Sequence, residues 1–145
     1  MTHHLDEPGA PLLFTSGAPG LVVTDVDSTL ITQEVIEELA EVAGTRERVA
    51  EITSRAMNGE LDFAESLRER VATLRGVPDS VFGDVLATIT TTKGARELID
   101  AVHAAGGHFG VVSGGFEEVV APLAASLGID FYAANRLEVE DGVLT

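Results

Sequence analysis

The sequence predicts an α/β fold, a Rossmann-like parallel sheet with a helical cap inserted after its first strand. Three observations carry this expectation. Short apolar runs at 21–24, 109–112 and 129–133 alternate with stretches of helical periodicity, a pattern that calls for parallel strands joined by helical crossovers. Gly106-Gly107 and Gly128 precede the second and third runs, where helix C-terminal glycines are expected. The interval between the first two runs far exceeds one crossover, and the surplus has helical periods of its own.

Residues 1–20 are rich in Gly and Pro and lack periodicity, which predicts a flexible arm. His3 and His4 on that arm read as a solvated pair rather than a metal site. Leu21-Val22-Val23-Thr24 contains no charge and no turn breaker, which predicts a strand buried on both faces and ending at Asp25. Four apolar stripes follow: Val35, Ile36, Leu39, Ala43; Val49, Ile52, Ala56; Ala64, Leu67, Val71, Leu74; and Val81, Phe82, Val85, Leu86, Ile89. Each predicts a helix. The third is opened by Asp62-x-x-Glu65, a capping-box variant, and Pro78 lies near the first turn of the fourth. Ala95, Leu98, Ile99 and Val102 predict the crossover helix into Phe109-Gly110-Val111-Val112, a strand ending at Ser113-Gly114-Gly115. Val119, Val120, Leu123 and Leu127 predict the next helix, with Pro122 as a kink or a late start. Alternation of Leu137, Val139, Val143 and Thr145 around Asp141-Gly142 predicts a hairpin with a type I′ turn. The expected organisation is an arm at 1–20, an α/β core at 21–30 and 91–145, and a helical cap at 31–90. An insertion at that point hangs over the carboxyl ends of the strands, where open α/β sheets bind ligands.

Composition narrows the function. Nine Lys and Arg against 24 Asp and Glu leave a net charge of −15, which argues against nucleic acid or an anionic membrane as partner. Six of the nine cations are arginines at 46, 48, 55, 68, 70 and 75; they read either as a surface laced with ion pairs or as a stretch facing an anion. The absence of cysteine excludes disulfides, zinc thiolate sites and a Cys nucleophile. No apolar run approaches the roughly 18 residues of a membrane span and no secretory signal is visible, so a cytoplasmic protein is expected.

Two constellations carry chemistry. Asp25-Val26-Asp27-Ser28-Thr29 places two carboxylates, two residues apart, at the end of a strand with no cation nearby in sequence. Such crowding is unfavourable unless a cation neutralises it. One carboxylate can hold a hard cation and attack an electrophile while the other moves a proton. The competing readings are a turn or helix N-cap at Asp27-Ser28. An EF-hand is excluded because Leu30 and Ile36 stand where Gly and Glu are needed, and a dinucleotide loop because no G-x-G-x-x-G follows the strand. Ser113-Gly114-Gly115-Phe116 is either a phosphate cradle or a capped Gly-rich turn. Adjacent parallel strands bring both constellations to one edge of the sheet.

Asp25-x-Asp27-x-Thr29, a helical insertion and then Ser113-Gly114-Gly115-Phe116 resemble the haloacid-dehalogenase-like phosphohydrolases. DVDSTLITQEVIEELA (25–40), SRAMNGELDFAESLRERV (54–71), VVSGGF (111–116) and AANRLEVEDGVLT (133–145) resemble the phosphoserine phosphatases of that superfamily. The resemblance implies Mg²⁺-dependent hydrolysis of O-phosphoserine through an aspartyl phosphate. Asp25 is then the nucleophile and Asp27 the acid and base. The Asp25 carboxylate and the Asp27 carbonyl oxygen hold the metal, and Ser113 and Gly114 hold phosphate oxygens. Glu34 meets the substrate ammonium, Arg70 meets its carboxylate, Met57 and Phe63 line and close the pocket, and Asn135 has a supporting role. Each cap residue also has a plain structural reading, as helix-start acid, ion-pair partner or core. A related phosphatase for another amino-bearing ester, or a non-catalytic phosphate- or partner-binding module, are the alternatives. The family continues with a Lys and a second acidic motif of the type Gly-Asp-x-x-x-Asp, whereas this sequence ends at Thr145 and Lys93, its one lysine, matches no family position. The expectation is therefore an incomplete core that is nearly inactive alone, self-associates through a bare Leu21–Thr24 edge, and is complemented by a further segment of about 65–75 residues.

Overall fold

A computed structural model describes residue 17 and residues 19–145. His3, His4 and nearly all of the predicted arm lie outside the described residues. Strands β1 (Leu21–Thr24), β2 (His108–Phe116) and β3 (Phe131–Asn135) form a parallel sheet in the order β1-β2-β3. Helices α1 (Val35–Ala43), α2 (Arg46–Met57), α3 (Phe63–Ala72) and α4 (Val81–Thr88) lie between β1 and helix α5 (Ala95–Ala104), and helix α6 (Glu117–Leu127) connects β2 to β3. The short strands β4 (Val139–Glu140) and β5 (Val143–Leu144) are antiparallel. Asp141 and Gly142 between them both have positive φ, 50° and 78°, as a type I′ turn requires. No helix among the described residues is long and apolar enough to cross a membrane.

The strand order advances in one direction, so two right-handed crossovers put α5 and α6 on the same face of the sheet. That face carries the buried Phe109 and Val111. Among the described residues no helix covers the opposite face, and β1 is not buried on both faces as expected. Leu21 is 54% and Val23 48% exposed, beside Val112 at 54% and Phe131 at 40%. An unbroken β-branched run does not record whether a second helical layer is present. The Phe131 ring lies over Gly110, where any Cβ would meet it at 2.0 Å.

β2 runs on through Ser113-Gly114-Gly115 to Phe116, with an irregular register against β3 between Val112 and Phe116. α6 begins at Glu117 and passes through Pro122, which sits on the exposed side of the helix. In α3 the predicted stripe is displaced. Ala64 is exposed, Leu67 and Val71 are half-buried, and Leu74 is buried beyond the helix end. Its capping box is complete, with Glu65 N–H donating to Asp62 Oδ1 at 2.8 Å and Asp62 N–H to Glu65 Oε2 at 3.0 Å.

The two ends of the insertion meet. Thr32 N–H donates to Thr90 O at 2.9 Å and Thr92 N–H to Leu30 O at 2.8 Å, an antiparallel clasp at Ile31 and Thr91. Gln33 spans it, donating to Thr88 O and accepting from Thr90 N–H. α1 packs against both α2 and α4, α4 lies against α6, and α2 and α3 form a pair. Thr45 and Thr73, at the two joints of that pair, approach within 3.3 Å through their hydroxyls. The hairpin belongs to this side of the molecule: Leu144 N–H donates to Val77 O, Gly76 N–H to Leu144 O and Asp79 N–H to Gly142 O, all at 2.8–2.9 Å. It follows the core elements in sequence yet bonds to the insertion.

Asp62→Ala removes the acceptor for Glu65 N–H and leaves the first turn of α3 unsatisfied. The expected loss is about 1 kcal/mol, within the usual range for N-cap removal, measured by urea unfolding.

Candidate active site

Asp25 follows the last residue of β1, and its Oδ1 accepts from Val26 N–H at 2.7 Å. The chain then forms a wide turn closed by Ile31 N–H donating to Val26 O at 3.1 Å. Val26 and Leu30 are buried and anchor the turn. Between them, Asp27 is extended (φ −61°, ψ 130°) and Ser28 is left-handed (φ 52°, ψ 20°). Asp25 and Asp27 line one cavity of about 220 Å³ together with Glu34, Arg70, Phe63, Gly114 and Gly115. Ile36, Leu67 and Phe116 complete its walls.

Each partner arrives on a different element. Glu34 is the N-cap residue of α1 but makes no side-chain bond to that helix; its Oε1 accepts from Ser28 Oγ at 2.6 Å. The next amide, Val35 N–H, points at Asp27 Oδ1 from 3.4 Å, so the start of α1 faces the carboxyl. Arg70 lies in the last turn of α3, and its Nε donates to Ser66 O at 3.3 Å. Arg46, Arg55 and Arg136 are ion-paired, whereas Arg70, among the described residues, has no carboxylate within 4.0 Å. Ser113 is buried; its Oγ accepts from Gly115 N–H at 2.9 Å, which leaves the hydroxyl proton free to donate. A Cβ at Gly115 would lie 3.5 Å from Asp27 Oδ2 and one at Gly114 3.2 Å from the Phe63 ring. The loop therefore runs directly under both. Asn135 Nδ2 donates to Gly114 O at 3.0 Å and ties β3 to this loop.

The Asp27 pKa is raised to about 6. Burial is the largest cause, the Glu34 and Asp25 charges add to it, and Val35 N–H and Arg70 oppose it. A carboxyl held near 6 is poised to give and take a proton near neutral pH. Among the described residues no three His, Asp or Glu side chains converge as a metal cage. The excess negative charge around Asp25 and Asp27 still suits a hard cation that keeps several waters.

The structure thus brings together Asp25, Asp27, Glu34, Phe63, Arg70 and Gly114, with Ser113 directly behind the glycines. Met57 stands apart: it ends α2, is 85% exposed and does not line the cavity. Thr29 is also outside the walls, and its carbonyl accepts from Thr92 Oγ1 at the clasp. Ile36 and Leu67 were legible only as members of helical stripes. Their spacing from Glu34 and Arg70, two and three residues, was the available signal.

The chain matches the haloacid dehalogenase-like hydrolase family over residues 22–145. It is 58% identical over 130 residues to the phosphoserine phosphatase of Streptococcus thermophilus and 56% identical over 128 residues to that of Lactococcus lactis. These alignments cover 90% and 88% of the chain, and 60% and 59% of the relatives. The chain thus spans about three fifths of their length. A substrate-bound phosphoserine phosphatase complex superposes with a TM-score of 0.81 at 42% identity, over 90% of this chain and 62% of that one. A phospho-aspartyl intermediate analogue of phosphoserine phosphatase gives 0.80 at 43% identity, over 88% and 61%.

The raised Asp27 pKa has a consequence for stability. With a folded value of about 6 against an ordinary 3.8, the contribution of this group is complete below pH 4 and is lost as pH rises through 6. In metal-free buffer the wild-type chain should lose about 1 kcal/mol between pH 4 and 7 relative to Asp27→Asn, a figure reduced for partial solvent access. Urea midpoints of the two proteins across that range measure it; parallel curves would place the titration elsewhere.

Proposed function

The chain belongs to the haloacid dehalogenase-like hydrolases, and from that premise we propose that its site hydrolyses O-phosphoserine to serine and phosphate through an aspartyl phosphate. The observation that carries this reading is the pairing of opposite charges across one small cavity. Glu34 and Arg70, which has no carboxylate partner among the described residues, line that cavity with Asp25, Asp27 and the Gly114-Gly115 loop. A phosphorylated amino acid presents an ammonium, a carboxylate and a phosphate to those three groups. An Arg fork suits the carboxylate, and Glu34 suits the ammonium. The names of the relatives support the same substrate.

Residues 31–90 serve as the cap, with Phe63 closing over Gly114. The Asp25 carboxylate oxygen attacks phosphorus and forms the acyl phosphate as the serine oxygen departs. Asp27, protonated in its desolvated position, gives its proton to that oxygen. It then takes a proton from the water that attacks the acyl phosphate, which releases phosphate and regenerates Asp25. The Ser113 hydroxyl and the amides of the glycine loop hold the phosphoryl oxygens while charge redistributes. Mg²⁺ fits the donor set, held by the Asp25 carboxylate and the Asp27 carbonyl oxygen. When bound it supplies neutralisation between the phosphate dianion and two carboxylates.

Asp25→Asn should abolish Mg²⁺-dependent phosphate release, since an amide does not form the acyl phosphate; turnover within tenfold of wild type would remove Asp25 as nucleophile. Arg70→Ala should raise KM for O-phosphoserine about tenfold to a hundredfold, the equivalent of losing a charged hydrogen bond. The same variant should change KM for phosphoethanolamine, which lacks the carboxylate, far less. Equal changes on the two esters would make Arg70 structural.

A further inference from the structure

Ser28 is conformationally out of place. Among the described residues, eight of the ten left-handed positions are glycine; the other two are Ser28 and Asp141. Asp141 occupies a hairpin turn, and Asp is one of the few side chains that tolerate this backbone. Serine at φ 52°, ψ 20° is strained where glycine is not. Apart from the Asp141 turn the sequence uses glycine for this backbone, and the serine side chain has a use of its own.

Closing the turn does not require that hydroxyl. Ser28 N–H already donates to Gln33 O at 3.1 Å, and Ile31 N–H to Val26 O. What the side chain adds is the 2.6 Å bond from Oγ to Glu34 Oε1, short as bonds to an ionised acceptor are. Glu34 in turn gives up the usual use of an N-cap side chain, since it makes no bond to the helix it begins. The carboxylate is turned away from α1, toward Ser28 and the cavity it lines.

We propose that Ser28 is a positioning residue for substrate selection, its hydroxyl holding the Glu34 carboxylate where it meets the ammonium of the substrate, with backbone strain retained for that contact. The proposal rests on the reading of Glu34 given above. A residue that selects the amino group from outside the cavity wall acts only through this one hydrogen bond. Its effect should therefore fall on discrimination between amino-bearing and amine-free esters.

Three variants of the chain with Mg²⁺ test this. Ser28→Gly relieves the strain and removes the hydroxyl. Ser28→Asn tolerates the left-handed backbone and keeps a donor. Glu34→Gln is the reference for loss of the ammonium partner. The ratio of KM for O-phosphoserine to KM for 3-phosphooxypropanoate, its des-amino analogue, should rise about tenfold in Ser28→Gly, as expected for loss of a hydrogen bond to a charged group. It should return most of the way in Ser28→Asn, while the thermal midpoint of Ser28→Gly stays at or above wild type. An unchanged ratio, or a lower midpoint with the ratio unchanged, overturns the proposal and leaves Ser28 as a turn residue. A core that needs a further segment is expected to turn over both esters weakly, and turnover too low to read leaves the KM ratio silent on Glu34 and Ser28 alike. The contact is then decided separately by the ¹³C resonance of the Glu34 carboxyl in the unliganded chain. A shift in Ser28→Gly that Ser28→Asn reverses supports the positioning contact, and an unmoved resonance overturns it.

Discussion

Like-charge crowding at the end of β1 is the constraint around which the other elements are arranged. Asp25, Asp27 and Glu34 share a half-enclosed cavity, and three carboxylates there repel one another unless positive potential is brought in. The fold brings it from two directions. The start of α1 points an amide at Asp27 and the last turn of α3 delivers Arg70. Neither fully compensates, and the raised pKa of Asp27 records its burial first and the repulsion from Glu34 and Asp25 after it. A site that holds surplus negative charge under partial burial is prepared for a cation and for a proton in transit.

That arrangement requires segments far apart in sequence to converge. Residues 30–32 and 90–92 meet in the clasp, so the long insertion leaves and rejoins the core at one place. The hairpin returns from β3 to bond residues 76–79, giving the insertion a second attachment. Glu34 and Arg70 reach the cavity through these tethers, and Asn135 holds the phosphate loop from the neighbouring strand.

Much of this was legible before any coordinates. Strand positions, the four insertion helices, the capping box at Asp62 and the type I′ turn at Asp141-Gly142 follow from local rules of periodicity and turn chemistry, which act over a few residues. The parallel pairing that brings Asp25 beside Ser113 follows from crossover length. The failures are non-local. The burial of Leu21 and Val23 depends on whether a second helical layer exists, which a four-residue run does not encode. The attachment of the hairpin to residues 76–79 depends on edge pairing between segments some 65 residues apart. Met57 sits in a matching motif but at a helix end that faces outward, and a motif specifies neighbours in sequence rather than direction in space. The Ser28–Glu34 bond depends on a backbone sign that only coordinates display.

The waist at Thr45 and Thr73 lies at one end of the α2–α3 pair. The two joints of the pair are drawn together there by hydroxyls 3.3 Å apart, while α2 extends for 12 residues, a lever of about 18 Å at 1.5 Å per residue. A rotation of about 10° at this fulcrum displaces the far tip, where α3 begins at Phe63, by about 3 Å. The Arg70 backbone, one turn from the fulcrum, would move by less than about 1 Å in the same swing, so any angular play there would fall on the Phe63 end of the pair, over Gly114, far more than on the Arg70 end.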